Sequence, residues 1–129
     1  MSFNKVVEDI RALKIQGAQK IAVSSVLAID KLIKESVFRD TNDLKNKLNR
    51  ARDKLFQARP TEPALRNAVN YVLDVNYVDD FTNLKNQILE KIEETQKFFI
   101  KSDKKINNFV SKKIRNSHIV FTHCHSSTV

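Results

Sequence analysis

Apolar residues recur every three to four positions along most of the chain, the spacing of one helix face. Over residues 3–15 that face carries Phe3, Val6, Val7, Ile10 and Leu13. Gly17, the only glycine, then breaks the pattern. A second helix is predicted from Ala18 to about Val37, with Ile21, Ala22, Ser25, Ile29, Leu32 and Ile33 inward. Asp40 or Thr41 suits the cap of a third helix, 41–58, because a short side-chain oxygen can take up first-turn amides. Its inward positions are Leu44, Leu48, Ala51, Leu55 and Phe56. Both prolines follow in "ARPTEP". Proline is tolerated in a first helical turn and not in an interior, so Thr61 is the expected cap of a fourth helix, about 62–75. Leu65, Val69, Val72 and Leu73 face inward there. Asp79 or Asp80 opens a long fifth helix to about Arg115, with Phe81, Leu84, Ile88, Ile92, Phe99, Ile106, Phe109 and Val110 on one stripe.

Residues 118–122, "HIVFT", break this rhythm. They are β-branched and aromatic, short and apolar, as in a strand buried within a parallel sheet. One strand cannot satisfy its own ladder hydrogen bonds. The last dozen residues therefore read as the start of a second, α/β domain. The expected division is a helical domain over 1–116 and the opening of another over 117–129.

Composition agrees with long helices. The chain has 129 residues, enough for one domain with a real core, and a single glycine where about nine would be usual. No apolar run approaches the roughly 18 residues of a membrane span, and no signal-peptide core opens the chain. One cysteine cannot form an internal disulfide, which agrees with a cytoplasmic protein. The formal charge of +8 invites a nucleic-acid reading. Against it, the lysines are interspersed with acids, no RNA-binding motif is present, and a solvated lysine surface is the blander account. The excess is strongest at 97–115, a stretch suited to an acidic partner or to the rest of a larger protein.

The only cysteine, Cys124, stands between His123 and His125 in "FTHCHSSTV". Zinc needs three or four converging ligands, and in an extended segment the two histidines face away from the cysteine. A thiol at the carboxyl end of a strand, before a helix start, sits where α/β folds place ligands and where a thiolate is favoured. Spacing alone leaves metal ligand, catalytic thiol and buried apolar residue all open.

Three segments in order, "IRALKIQGAQKIA" (10–22), "ARPTEPALRNAVNYVL" (58–73) and "IVFTHCHSSTV" (119–129), resemble the archaeal ribose-1,5-bisphosphate isomerases. These belong with the translation initiation factor 2B regulatory subunits and the methylthioribose-1-phosphate isomerases. The resemblance covers only the N-terminal part of that family. It implies an all-α, five-helix domain ending in the first β-strand of an incomplete Rossmann-like domain. It also implies an isomerase turning ribose 1,5-bisphosphate, an aldose phosphate, into the ketose ribulose 1,5-bisphosphate, in AMP degradation and without a cofactor. Proton or hydride movement between C1 and C2 needs groups placed against the sugar. By resemblance Cys124 is one of them, and its partner, an aspartate of the C-terminal domain, has no counterpart here.

The resemblance further assigns phosphate contacts to Gln16, Gly17 and Ala18. A turn poor in side chains at a helix start lets backbone amides approach an anion. Family members often carry arginine where this chain has Gln16, so one charge-assisted contact is missing. Arg59 matches the family arginine that reaches the phosphate. The bland alternatives are a helix C-cap for Gly17 and a cation closing the third helix for Arg59. Asn67 is expected in domain packing or capping. The implied partners are a phosphorylated sugar and a Rossmann-like C-terminal half or full-length homologue, with homo-oligomers in the complete protein. Neither membrane nor nucleic acid is expected. Since the family site lies between two domains, the chain by itself is expected to show no turnover. Two competing readings are a regulatory subunit acting by protein contact and a helical interaction module, the latter marked by an apolar stripe left over once the helices pack.

Overall fold

The computed structural model describes residues 2–77 and 80–121. Five helices follow in order: α1 (Phe3–Arg11), α2 (Ala18–Glu35), α3 (Thr41–Ala58), α4 (Pro63–Leu73) and α5 (Phe81–Ser111). They form an all-α bundle around α2, which touches each of the other four. Burial explains that position. Ile21, Ala22, Ser25, Val26, Ala28, Ile29 and Ile33 of α2 are all buried, so apolar residues cover more than one side of it. Ser25 stays satisfied inside by donating to the Ile21 carbonyl at 2.7 Å. One core joins all five helices, with Ile10, Ile29, Leu48, Val69 and Ile88 fully enclosed. Among the described residues no helix is long and apolar enough to cross a membrane.

Four helix starts are capped by a side chain. Ser2 accepts from Lys5 N, Asp40 from Asp43 N, Glu62 from Ala64 N, and Asp80 from both Thr82 N and Asn83 N. Each cap takes up an amide that the helix leaves unpaired. The start of α4 differs from the expectation: Glu62 is the cap in place of Thr61, with Pro63 in the first turn.

The helix expected over 3–15 ends at Arg11. The apolar spacing of Leu13 and Ile15 continues, but the chain turns. Leu13 adopts φ 58°, and the amides of Lys14 and Ile15 both donate to the Asp9 carbonyl. That carbonyl closes the helix. Asp9 itself is buried, and its carboxylate pairs with the Lys5 ammonium.

α5 is the longest element, with 31 residues, or about 46 Å at the usual helical rise. Its inner part packs through Leu84, Ile88, Ile92 and Thr95. Beyond Asp103 every described residue is exposed. Ile106, Phe109 and Val110, expected inward, therefore face solvent. The periodicity identified the right face; no other described helix reaches far enough to cover it. The strand expected over 118–122 does not appear at residues 118–121, where Ile119 and Phe121 are almost fully exposed. The physical reason is the absence, among the described residues, of another strand to complete its ladder. Thr122 lies outside the described residues.

Candidate functional site

Gly17 is the N-cap of α2, not the C-cap of α1. Its backbone stands at φ 86°, ψ 130°, in the region that a Cβ disfavours, so glycine is needed here. The Gly17 carbonyl accepts from Ile21 N at 2.9 Å and starts the helix ladder. No side chain caps this start, in contrast to the other four helices. Ala18 opens the helix and is exposed. First-turn amides at the positive end of a helix dipole, with nothing bulkier than Gly17 and Ala18 before them, are the arrangement an anion requires. Gln16 precedes them and turns away: its side-chain amide donates to the Leu13 carbonyl at 2.6 Å, bracing the turn between α1 and α2.

Arg59 is the C-cap of α3 and half-buried. Its amide donates to the Leu55 carbonyl, and its own carbonyl accepts from Glu62 N at 3.3 Å. The "RPTEP" turn is held by Arg66, which donates from Nε to the Pro60 carbonyl at 3.0 Å and stacks on Phe56 at 4.7 Å. Among the described residues the Arg59 guanidinium enters no ion pair. It stands at the negative end of α3, where a cation suits the dipole, as the bland role expects.

Helix directions bring these residues to one end of the bundle. The Gln19 side chain donates to Asp103 at 2.5 Å, while further along α2 Asp30 and Lys34 flank Leu89 and Glu93. Ala64 of α4 adjoins Phe98 and Phe99, while the Asp74 carbonyl past the end of α4 accepts from Lys91. Helices α2 and α4 therefore both run antiparallel to α5 and parallel to each other. Their N-termini, with Gly17 and Ala18 on one and Arg59 just before the other, share the end from which α5 projects. Cys124, with His123 and His125, lies outside the described residues. His118 is described: its Nδ1 accepts from Arg115 N at 3.4 Å. Among the described residues no group of three or more metal-ligating side chains converges.

An apolar groove of about 680 Å³ runs between α4 and α5, lined by Ala64, Ala68, Tyr71, Thr95, Phe98 and Phe99 among others. Asn67, expected in packing or capping, also lines it. Tyr71 closes one side by donating to Glu94 at 2.6 Å, and that bond holds the phenol above its ordinary pKa. Sequence reasoning missed the groove. Its signal was the pair Phe98–Phe99: neighbours on a helix point about 100° apart, so one of them must leave the core face. Phe98 is 65% exposed. With Ile106, Phe109 and Val110 it forms an exposed apolar stripe of the kind the interaction-module reading expects.

The fold is an all-α bundle with one uncapped helix start and an arginine at the same end. Comparison places it: residues 14–129 match the initiation factor 2 subunit family, and the chain belongs to that family. It is 28% identical to a ribose 1,5-bisphosphate isomerase of Thermococcus kodakarensis over 95% of this chain and 39% of that protein. It is likewise 28% identical to one of Haloterrigena turkmenica, over 93% of this chain and 37% of that protein. The chain thus spans well under half the length of these curated relatives. In three dimensions it is similar to the crystal structure of translation initiation factor eIF-2B, subunit delta, from A. fulgidus. The TM-score is 0.73 at 20% identity, covering 90% of this chain and 34% of that one. That likeness establishes the fold of the helical N-terminal domain.

Proposed function

We infer that this chain supplies the phosphate-holding half of a sugar-phosphate isomerase of the ribose 1,5-bisphosphate type. The observation that carries the reading is the start of α2: Gly17 at φ 86° with no side-chain cap, at the same end of the bundle as Arg59. Curated relatives named ribose 1,5-bisphosphate isomerase support the choice of substrate class. In this reading amides following Gly17 and Ala18 bind one phosphate, and Arg59 adds a charge-assisted contact. Gln16 serves the turn and contributes no charge. Residues 117–129 open a second, Rossmann-like domain, and Cys124 there moves a proton between C1 and C2 of the opened sugar. The aspartate that works with it belongs to a C-terminal half. The chain is therefore inactive alone and active only when joined to such a half, in the cytoplasm and with no cofactor. The regulatory-subunit reading keeps the same fold and dispenses with Cys124 chemistry; the engaged Gln16 side chain favours it.

The test is turnover of ribose 1,5-bisphosphate by the chain alone, and by the chain mixed with the C-terminal half of a full-length relative. Each is assayed with Cys124 intact and as Cys124→Ser. Activity confined to the intact mixture is expected. Turnover by the chain alone would contradict the division of labour. An inactive mixture whose halves demonstrably bind each other would favour the regulatory reading.

A further inference from the structure

Asp103 is the only acid in the basic stretch 97–115, with lysines on both sides of it. Its carboxylate joins none of them: among the described residues it enters no ion pair. It accepts from the Gln19 side chain at 2.5 Å, across 84 positions of sequence. Gln19 is the second residue of α2, so this bond sets a carboxylate beside the helix start that holds Gly17 and Ala18. Asp103 is half-buried there, and every described residue beyond it is exposed.

A carboxylate next to an anion site needs a cause, because it repels a phosphate. An acid does suit the positive end of a helix. Asp80 serves that purpose at α5 by accepting from first-turn amides. Asp103 differs: it takes a side chain of α2 and leaves the first-turn amides open. Oδ2 accepts from Gln19, and a carboxylate has room for further donors on its other oxygen. A sugar phosphate brings such donors, since its hydroxyls stand next to its phosphate, and an ionised carboxylate is a strong acceptor for them. The reach is right. An extended glutamine spans about 6 Å from its backbone nitrogen, so the carboxylate lies within roughly 9 Å of the Gln19 amide. A phosphate on that amide and the first carbons of its sugar fill such a span. We propose that Asp103 is a substrate-binding residue that selects for the sugar. Its second oxygen accepts from a hydroxyl of the ligand whose phosphate lies on the α2 amides, and Gln19 holds the carboxylate in place. The proposal rests on the phosphate reading above and adds what that reading lacks. Backbone amides and Arg59 bind any phosphate, whereas Asp103 rewards hydroxyls and opposes an anion without them.

The test compares two ligands by amide NMR titration of the chain, followed at Gly17 and Ala18. One is ribose 1,5-bisphosphate. The other is 1,5-pentanediol bisphosphate, with the same two phosphates on five carbons and no further hydroxyls. The chain is expected to prefer the sugar by about 10-fold or more, the value of a hydrogen bond to a charged group. Asp103→Ala, with its helical circular dichroism unchanged, is expected to abolish the preference by weakening the sugar alone, while the diol ligand binds as well or more tightly. Asp103→Asn keeps an acceptor for Gln19 and loses the charge, so an intermediate preference is expected. Equal affinity of the chain for the two ligands would overturn the proposal and leave the phosphate reading standing. So would an Asp103→Ala chain that loses both ligands alike, since that marks a structural role. Shifts at the α2 start with neither ligand would overturn the proposal together with the phosphate reading.

Discussion

The starts of α2 and α5 meet the same physical demand in opposite ways. Each helix begins with amides that have no partner within it. At α5 the Asp80 carboxylate takes two of them, from Thr82 and Asn83 at 2.8 and 3.0 Å. At α2 there is only Gly17, whose carbonyl starts the ladder and whose missing side chain caps nothing. Asp80 serves stability. The Gly17 start gives up that contribution and keeps a short approach to the backbone. Side chains cap four of the five described helix starts and not this one, and the proposed phosphate site rests on that exception.

Mutations at the two starts should separate. The largest effect is expected from Arg59→Ala, which removes the cation that the proposed function assigns to the phosphate. Affinity for ribose 1,5-bisphosphate in the joined halves should fall about 10- to 100-fold, the value of a charge-assisted contact, with folding stability nearly unchanged. Calorimetric titration beside a denaturation curve reads both. Gly17→Ala comes next: a Cβ at φ 86° should cost about 1–2 kcal/mol of stability in urea and weaken phosphate binding too. Asp80→Ala should cost about 1 kcal/mol and leave phosphate affinity untouched. If Asp80→Ala impaired binding as much as Gly17→Ala, the contrast between the starts would collapse.

The smallest effect concerns pH, at the start of α3. Asp43 accepts from the backbone amide of Arg39, which together with Lys47 holds its carboxyl below the ordinary 3.8. A carboxyl depressed on folding contributes stability that is present above its unfolded pKa and lost as pH falls through the folded value. Asp43→Asn should therefore lower stability slightly near neutrality and flatten part of the loss below about pH 4, so that the two proteins converge in acid. A fluorescence-free readout such as circular dichroism across that range suffices, since the chain has no tryptophan.

How much of this was legible depended on whether the cause was local. The bounds of α3 match the expectation at both ends, because Asp40 and the 59–60 break are written in adjacent residues. The end of α1 was not legible: Leu13 and Ile15 keep helical spacing, and only the Asp9 carbonyl, taken by two amides, turns the chain. The outer stripe of α5 was legible as a face and illegible as a surface. Ile106, Phe109 and Val110 repeat like the buried Leu84, Ile88 and Ile92, and periodicity says nothing of what stands opposite. The run at 118–121 shows the same limit for strands, since its β-branched residues predict a conformation that needs a neighbour. Gly17 and Arg59 were found through family resemblance, whereas composition and spacing left each with an ordinary structural role. Their meeting at one end of the bundle came from the directions of α2, α4 and α5, which no short segment encodes.

The central claim is that the amides after Gly17, with Arg59, hold a phosphate. The most direct measurement is an amide NMR titration of the chain with ribose 1,5-bisphosphate, repeated on Arg59→Ala. Saturable shifts concentrated at Gly17, Ala18 and Gln19, and lost in Arg59→Ala, are the predicted result. Shifts absent from the α2 start, or spread over the lysines of α5 and unchanged by Arg59→Ala, would contradict it.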